Sequence, residues 1–275
     1  MVLLQMKILK TKDDLKEAIL NCKHLGFVPT MGSLHNGHIS LIKNSQKKSN
    51  KTIVSIFINP TQFNDKDDYK KYPKNIIRDI QILKKLRVNF VFIPTVKDIY
   101  KNKINSKFKL KKSEKILCAN KRKGHFEGVL EVMDRLLNLV KPKFLYLGEK
   151  DFQQQYLINK YLHKKHKFKL IICKTIRHNK MALSSRNLNL KKKSLKTAQL
   201  IAGELSRIKN KYKNYNFRIK NNKLSLIKYL ENKYLIKIEY LDFRNIKNLS
   251  ISKFKTKFKL FIAYYIDNVR LIDNF

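Results

Sequence analysis

The chain has 275 residues and a formal net charge of +42, from 62 lysines and arginines against 20 aspartates and glutamates. That length allows one large domain or two ordinary ones with a sizeable core. No apolar run approaches the ~20 residues of a membrane span, so no membrane partner is expected. The three cysteines, Cys22, Cys118 and Cys173, stand outside any C-x-x-C spacing. They argue against a disulfide framework or a zinc site and suit a reducing cytoplasm. The opening run, Met1-Val2-Leu3-Leu4-Gln5-Met6-Lys7, breaks too early for a secretory signal.

The charge invites a nucleic-acid reading, but its construction points elsewhere. Only ten of the 62 basic residues are arginines, and the lysines are spread through every segment. Groove and phosphate recognition leans on arginine and on clustering. Abundant Asn, Ile, Phe and Tyr, scarce Gly and Pro, and no Trp fit drift under an A+T-rich coding sequence. No specific nucleic-acid partner is expected, only salt-sensitive adhesion to polyanions.

In chain order, strand-length apolar runs at 25–28, 52–58, 89–93, 144–147 and 169–173 alternate with helical patterns at 38–47, 76–86, 129–140 and 152–164. In the third helix Val129, Val132, Met133, Leu136, Leu137 and Val140 recur on one face. Alternation of this kind predicts βαβ units and a Rossmann-like, doubly wound parallel sheet, an α/β domain over 1–174. Beyond it, helices at 195–208 and 224–232 precede strands at 236–241 and 260–266, the pattern of a smaller α+β domain over 175–275. The Lys/Asn/Tyr-rich stretch 209–222 reads as a surface loop.

Ligands of doubly wound sheets bind beyond the carboxyl ends of the strands. Three polar motifs occupy such ends. Pro29-Thr30-Met31-Gly32-Ser33-Leu34-His35-Asn36-Gly37-His38 follows the first run and starts a helix. Free N–H groups at a helix start attract anions, and two imidazoles can donate to phosphate oxygens. A bare H-x-G-H could equally be one capping and one solvent-facing histidine; its place between strand and helix favours phosphate. Asn59-Pro60-Thr61-Gln62 closes the second run and Gly148-Glu149-Lys150-Asp151-Phe152-Gln153-Gln154 the fourth. The bland alternatives are an ordinary turn and a helix start capped by Asp151. Leu183-Ser184-Ser185-Arg186-Asn187 reads either as a serine cap with a solvated arginine or as a loop gripping a triphosphate. Gly124-His125-Phe126-Glu127-Gly128 reads as a helix start whose glycine is needed for packing.

Together, in this order and at these spacings, the motifs resemble the pantoate–β-alanine ligases of the HIGH-motif nucleotidyltransferase superfamily, from Pro29 to Arg270-Leu271-Ile272-Asp273-Asn274. The resemblance implies a two-step ligation consuming ATP. Pantoate is adenylated with loss of pyrophosphate, and β-alanine then displaces AMP. It implies ATP contacts from Met31, Gly32, Ser33, Leu34, His35, Asn36, Gly37 and His38, from Gly148, Glu149, Lys150 and Asp151, and from Ile176, Leu183, Ser184, Ser185 and Arg186. His38 matches the proton donor, with His35 beside it. Gln62 would contact pantoate and β-alanine, and Gln154 pantoate. Mg²⁺ accompanies ATP, and a homodimer is usual.

Departures from the family pattern are local. The segment Arg177-His178-Asn179-Lys180-Met181-Ala182 looks a residue short, Lys123 replaces a proline before Gly124, and Lys74 replaces an arginine after Pro73. Of the acidic positions associated with metal in some members, Asp79 is the remnant. Two other readings are an adenylyltransferase of the same fold and a basic nucleic-acid-binding protein. The first lacks N-P-T-Q-F and G-E-K-D-F-Q-Q; the second needs a basic, aromatic-studded face.

Overall fold

A computed structural model describes residues 5–64, 66–100, 106–214, 223–252 and 257–275. The chain divides into two compact units, Met1–Thr175 and Ile176–Phe275.

The first unit opens on β1 (Lys7–Leu9) and α1 (Lys12–Ile19). The apolar pattern announced neither, because β1 is three residues long and α1 is largely polar. α1 starts on a capping box: Thr11 Oγ1 accepts the Asp14 N–H, and Asp14 accepts the Thr11 N–H. There follow β2 (Leu25–Thr30), α2 (Asn36–Lys48), β3 (Lys51–Ile56), α3 (Lys66–Lys70), α4 (Ile76–Lys85), β4 (Phe90–Phe92), α5 (Val96–Tyr100), α6 (Leu117–Lys121), α7 (His125–Val140), β5 (Phe144–Gly148), α8 (Phe152–His166) and β6 (Lys169–Cys173).

The six strands pair in the order β1-β4-β3-β2-β5-β6, every pair parallel. From β2 the chain steps outward to β3 and β4; from β5 it steps the other way to β6. Strand order therefore reverses between β2 and β5, the position at which α/β sheets open a ligand crevice. Phe27, Val28, Ile53, Val54 and Val91 are fully covered, as near-continuous apolar strands of a two-faced sheet should be. Leu41 and Ile42 of α2 pack on Val28, Val54 and Tyr146. Strand and helix approach closely at Gly26, where a Cβ would meet Ser45 Oγ at 2.3 Å and Ser49 Oγ at 2.4 Å.

In the second unit, β7 (Arg177–His178) and β8 (Met181–Ala182) form a hairpin. Then come α9 (Lys192–Asn214), α10 (Lys223–Tyr234), β9 (Lys237–Asn245), β10 (Phe258–Ile266) and β11 (Val269–Asn274). The last three make an antiparallel sheet in the order β11-β10-β9. Ala198, Ile201 and Leu205 of α9 pack with Leu241, Leu260 and Ile262. Two expectations change here. Residues 209–214 extend α9 rather than opening a loop, since lysine propagates a helix well whatever its solvent exposure; 215–222 lie outside the described residues. β11 was not anticipated: Asp267-Asn268 is a two-residue turn with both residues at positive φ but no glycine, and the strand after it, VRLIDN, is half polar.

Candidate active site

The turn after β2 is braced on every side. Thr30 Oγ1 donates to Ser55 O at 2.7 Å and accepts the Gly32 N–H at 3.2 Å. Gly32 and Ser33 both take positive φ, +80° and +52°. Glycine does so freely, whereas serine needs support. Asp79, 1% exposed in the first turn of α4, supplies that support: one carboxylate oxygen accepts the Ser33 N–H and the other the Leu34 N–H, each at 2.7 Å. The backbone N–H groups of Ser33 and Leu34, two residues that the resemblance implies as ATP contacts, are thus directed at Asp79. Both Asp79 carboxylate oxygens are engaged by backbone N–H groups.

The spacing of the histidines now has a physical reason. His35 is the N-cap of α2, and its Nδ1 accepts the Gly37 N–H at 3.1 Å; His38, three residues on, accepts the His35 N–H at its own Nδ1, at 3.3 Å. The pair is a capping box built from imidazoles. The rings lie 4.1 Å apart, centre to centre, and both residues are half-buried. Burial is the main cause that pushes His35 down to about 4, with Lys150's positive charge adding and Asp151 opposing. His38 is pushed down to about 3 by burial, then by His35 and Lys150. Both rings are therefore neutral near pH 7. A neutral ring that accepts at Nδ1 carries its proton on Nε2. The site presents two fixed Nε2–H donors.

Gly148-Glu149-Lys150-Asp151 joins β5 to α8, at the other side of the switch point. Asp151 makes no capping bond; it pairs with Lys150 at 2.9 Å. Lys150 is close enough to act electrostatically on both histidines. The two motifs the sequence placed at adjacent strand ends thus meet. Gln154 lies half-buried in the first turn of α8, while Gln153 turns inward and donates to Ile116 O at 2.8 Å.

Gln62 closes the short helical turn after β3, 9% exposed. Its Nε2 donates to Met31 Sδ at 2.8 Å, linking it to the histidine-bearing turn, and its Oε1 accepts from Asn59 Nδ2 at 3.1 Å. Asn59 Oδ1 in turn accepts from Tyr100 OH at 2.5 Å and from the Thr61 hydroxyl at 3.0 Å. The Gln62 carbonyl accepts from His125 Nδ1 at 2.6 Å and from Arg122 at 3.2 Å. The glycine expected for packing does that work: a Cβ on Gly128 would sit 2.4 Å from Thr61 O. Beyond that packing role, His125 and Arg122 brace the Gln62 turn. Tyr100 carried no motif and could not have been found that way.

Ile176, Leu183, Ser184, Ser185 and Arg186 belong to the second unit. The short segment before them resolves into a hairpin, with Asn179 and Lys180 at positive φ as its two turn residues. Arg177 ties it to β11 through two bonds to Asp273, at 2.7 and 2.8 Å. Leu183 N donates to Ile176 O, and Ser184 caps the turn Ser185–Asn189 by accepting the Arg186 N–H at 3.3 Å. The capping reading is realised at Ser184.

Among the described residues no three His, Cys, Asp or Glu side chains gather as a metal cage, and no helix is long and apolar enough to cross a membrane. The assembled groups are neutral N–H donors, one lysine and a braced amide. Such a set suits charge developing on a phosphoryl group next to a small polar acid.

Comparison with known proteins agrees. The family model for pantoate-beta-alanine ligase matches residues 7–275. The pantothenate synthetase of Pseudothermotoga lettingae is 35% identical over 98% of both chains, and that of Azobacteroides pseudotrichonymphae 42% over 98% of this chain and 99% of its own. A crystal structure of the Francisella tularensis pantoate-beta-alanine ligase, complexed with beta-gamma ATP and beta-alanine, superposes with a TM-score of 0.83 at 39% identity, covering 98% of this chain and 97% of that one. On this sequence and this fold, the chain belongs to the pantoate-beta-alanine ligase family of ligases.

Proposed function

We propose that the protein joins pantoate to β-alanine in two steps at the β2/β5 crevice. A pantoate carboxylate oxygen attacks the α-phosphorus of ATP, the bond to the bridging oxygen breaks, and pyrophosphate leaves. The β-alanine amine then attacks the acyl carbon of pantoyl adenylate, releasing AMP and pantothenate. The observation that carries the reading is the His35–His38 pair beside Lys150, each ring accepting a backbone N–H at Nδ1, which in a neutral imidazole leaves the proton on Nε2 as a donor. Negative charge grows on the α-phosphate oxygens as the phosphorane forms, so fixed donors favour that state over bound ATP.

In this reading Met31 to His38, Gly148 to Asp151, Ile176 and Leu183 to Arg186 contact ATP, and His38, which matches the family's proton donor, acts through a hydrogen bond from its Nε2–H. Gln62 orients pantoate and then β-alanine, and Gln154 reaches pantoate. The unit 1–174 holds nucleotide and pantoate, and 175–275 closes over the triphosphate, keeping water from the acyl adenylate. Mg²⁺ arrives on the ATP phosphates, as is usual where a protein offers few carboxylates. The described residues form no resident site for it, and no step is assigned to it. The enzyme acts in the cytoplasm as a homodimer.

The test is incubation with ATP, Mg²⁺, D-pantoate and β-alanine, with mass detection of products. Pantothenate, AMP and pyrophosphate in equal amounts are expected. An AMP moiety retained in the final product would instead indicate an adenylyltransferase.

A further inference from the structure

We infer that Asp79 is a positioning residue for the adenylation step: it holds the Gly32-Ser33-Leu34 turn that aims His35 and His38. This rests on the ligase reading above. Three observations carry it. Both carboxylate oxygens accept backbone N–H groups from the turn, at 2.7 Å, from a residue 1% exposed on a different element, α4. The turn needs holding, because Ser33 sits at φ +52°, where a side chain is unfavourable. The fit is also tight: a Cβ on Gly32 would lie 2.9 Å from Asp79 Oδ2 and 3.1 Å from Ile56 Cγ2.

Geometry connects this brace to the chemistry. Leu34 N–H is fixed by Asp79, and the next residue is the N-cap His35, whose own N–H fixes His38. One carboxylate therefore orders a chain of three consecutive amides and through them two imidazoles. The Ser33 and Leu34 amides serve Asp79, so the charge that develops on phosphate during the step is met by the histidines and Lys150 rather than by this stretch of backbone. The carboxylate adds no direct contact with substrate. Removing it should lower the rate of the step and leave ATP affinity nearly intact, since donors that act in the transition state are lost without uniform binding.

The decisive variant is Asp79→Asn in the full chain. An amide offers one oxygen and turns an NH₂ toward the second backbone N–H, so one brace is kept and the other becomes donor against donor. Adenylation, read as pyrophosphate release at saturating ATP and pantoate, is expected to fall by about 30- to 100-fold, the scale of a misplacement near 1 Å. The KM for ATP stays close to that of the unaltered enzyme, and the His35 and His38 ring resonances shift. Raising Mg²⁺ well past saturation leaves the deficit in place. An unchanged rate overturns the inference, and so does a deficit that Mg²⁺ cures, which would make Asp79 a metal ligand. Should Asp79→Asn not fold, hydrogen exchange on the unaltered protein decides: Ser33 and Leu34 amides as protected as sheet amides support the brace, and exchange at open-turn rates overturns it. Failure of the unaltered protein to make pantothenate would count against the ligase reading instead, while amide protection would still judge the brace.

Discussion

A Cβ placed on Gly37 would lie 2.7 Å from Cε1 and 2.8 Å from Nδ1 of His35. The second residue of α2 must be bare for the capping imidazole to fold back over it. Gly37→Ala should therefore push the His35 ring away from its cap. The helix gains up to ~1 kcal/mol in propensity and loses a cap worth about 0.5–2 kcal/mol. The melting temperature should move by roughly 4 °C or less, while pyrophosphate release falls at least about tenfold, as for a weakened oxyanion donor. Calorimetry beside a single-turnover assay checks both; unchanged turnover would release His35 from its role.

Gly148 makes a contrasting case. Its φ is −79°, open to any residue, and a Cβ there would meet nothing within 4 Å. The fold gives no steric reason for glycine. Gly148→Ala should leave stability equal or up to about 1 kcal/mol higher, by restricting the unfolded chain. If ATP approaches this backbone, the KM for ATP should rise several-fold with the KM for pantoate unmoved. Equal kinetics would mean that nothing passes close to the strand end.

Gln62 and Lys150 should divide the substrates between them. Gln62 is an uncharged amide aimed by Asn59, and its donor rests on the weak acceptor Met31 Sδ, a bond readily exchanged for an oxygen. Lys150 is a point charge acting on both histidines. Gln62→Ala should raise the KM for pantoate far more than that for ATP, and Lys150→Ala the reverse. Steady-state kinetics with each substrate varied will tell; parallel shifts in both would refute the division.

The histidine pair also predicts a pH response. Both folded-state values, about 4 and about 3, lie below the ordinary imidazole value near 6.5. The unfolded chain therefore binds more protons in this window, and stability rises with pH through it. The contribution is complete above about pH 6.5 and is lost as pH falls toward 4 and then 3. NMR titration should find these two rings neutral at pH 6, and His35→Gln should flatten the acid side of the melting profile. Rings that titrate near 6.5 would contradict the burial argument.

Much of the site was legible because its chemistry is periodic or local. The strand–turn–helix setting of H-x-G-H was readable in the sequence, and the capping box explains why its two histidines stand three apart. The strands that carry the motifs were readable from apolar runs such as that of β3, where Ile53, Val54 and Ile56 are broken only by Ser55. What escaped depends on distance in sequence. Asp79 is 45 residues from Leu34 and Arg122 is 60 from Gln62, and nothing near either announces its partner. β1 escaped for another reason: it is a three-residue edge strand in which Lys7 and Ile8 are exposed and only Leu9 is buried, too short a pattern to find. β11 lay hidden behind a turn without glycine or proline.

The close approach of β2 and α2 at Gly26 has a further consequence. With Ser45 and Ser49 against one end of the strand and Asp79 holding the turn at the other, the strand and helix bearing the histidines are fastened at both ends of their contact. Loops that supply active-site groups usually open before the rest of a protein. Here the histidines sit on the helix that follows a central strand, so in the unaltered protein they should keep their geometry until the sheet itself comes apart. In increasing denaturant, the signals of these two rings should vanish together with sheet ellipticity, which makes them an internal reporter of sheet integrity.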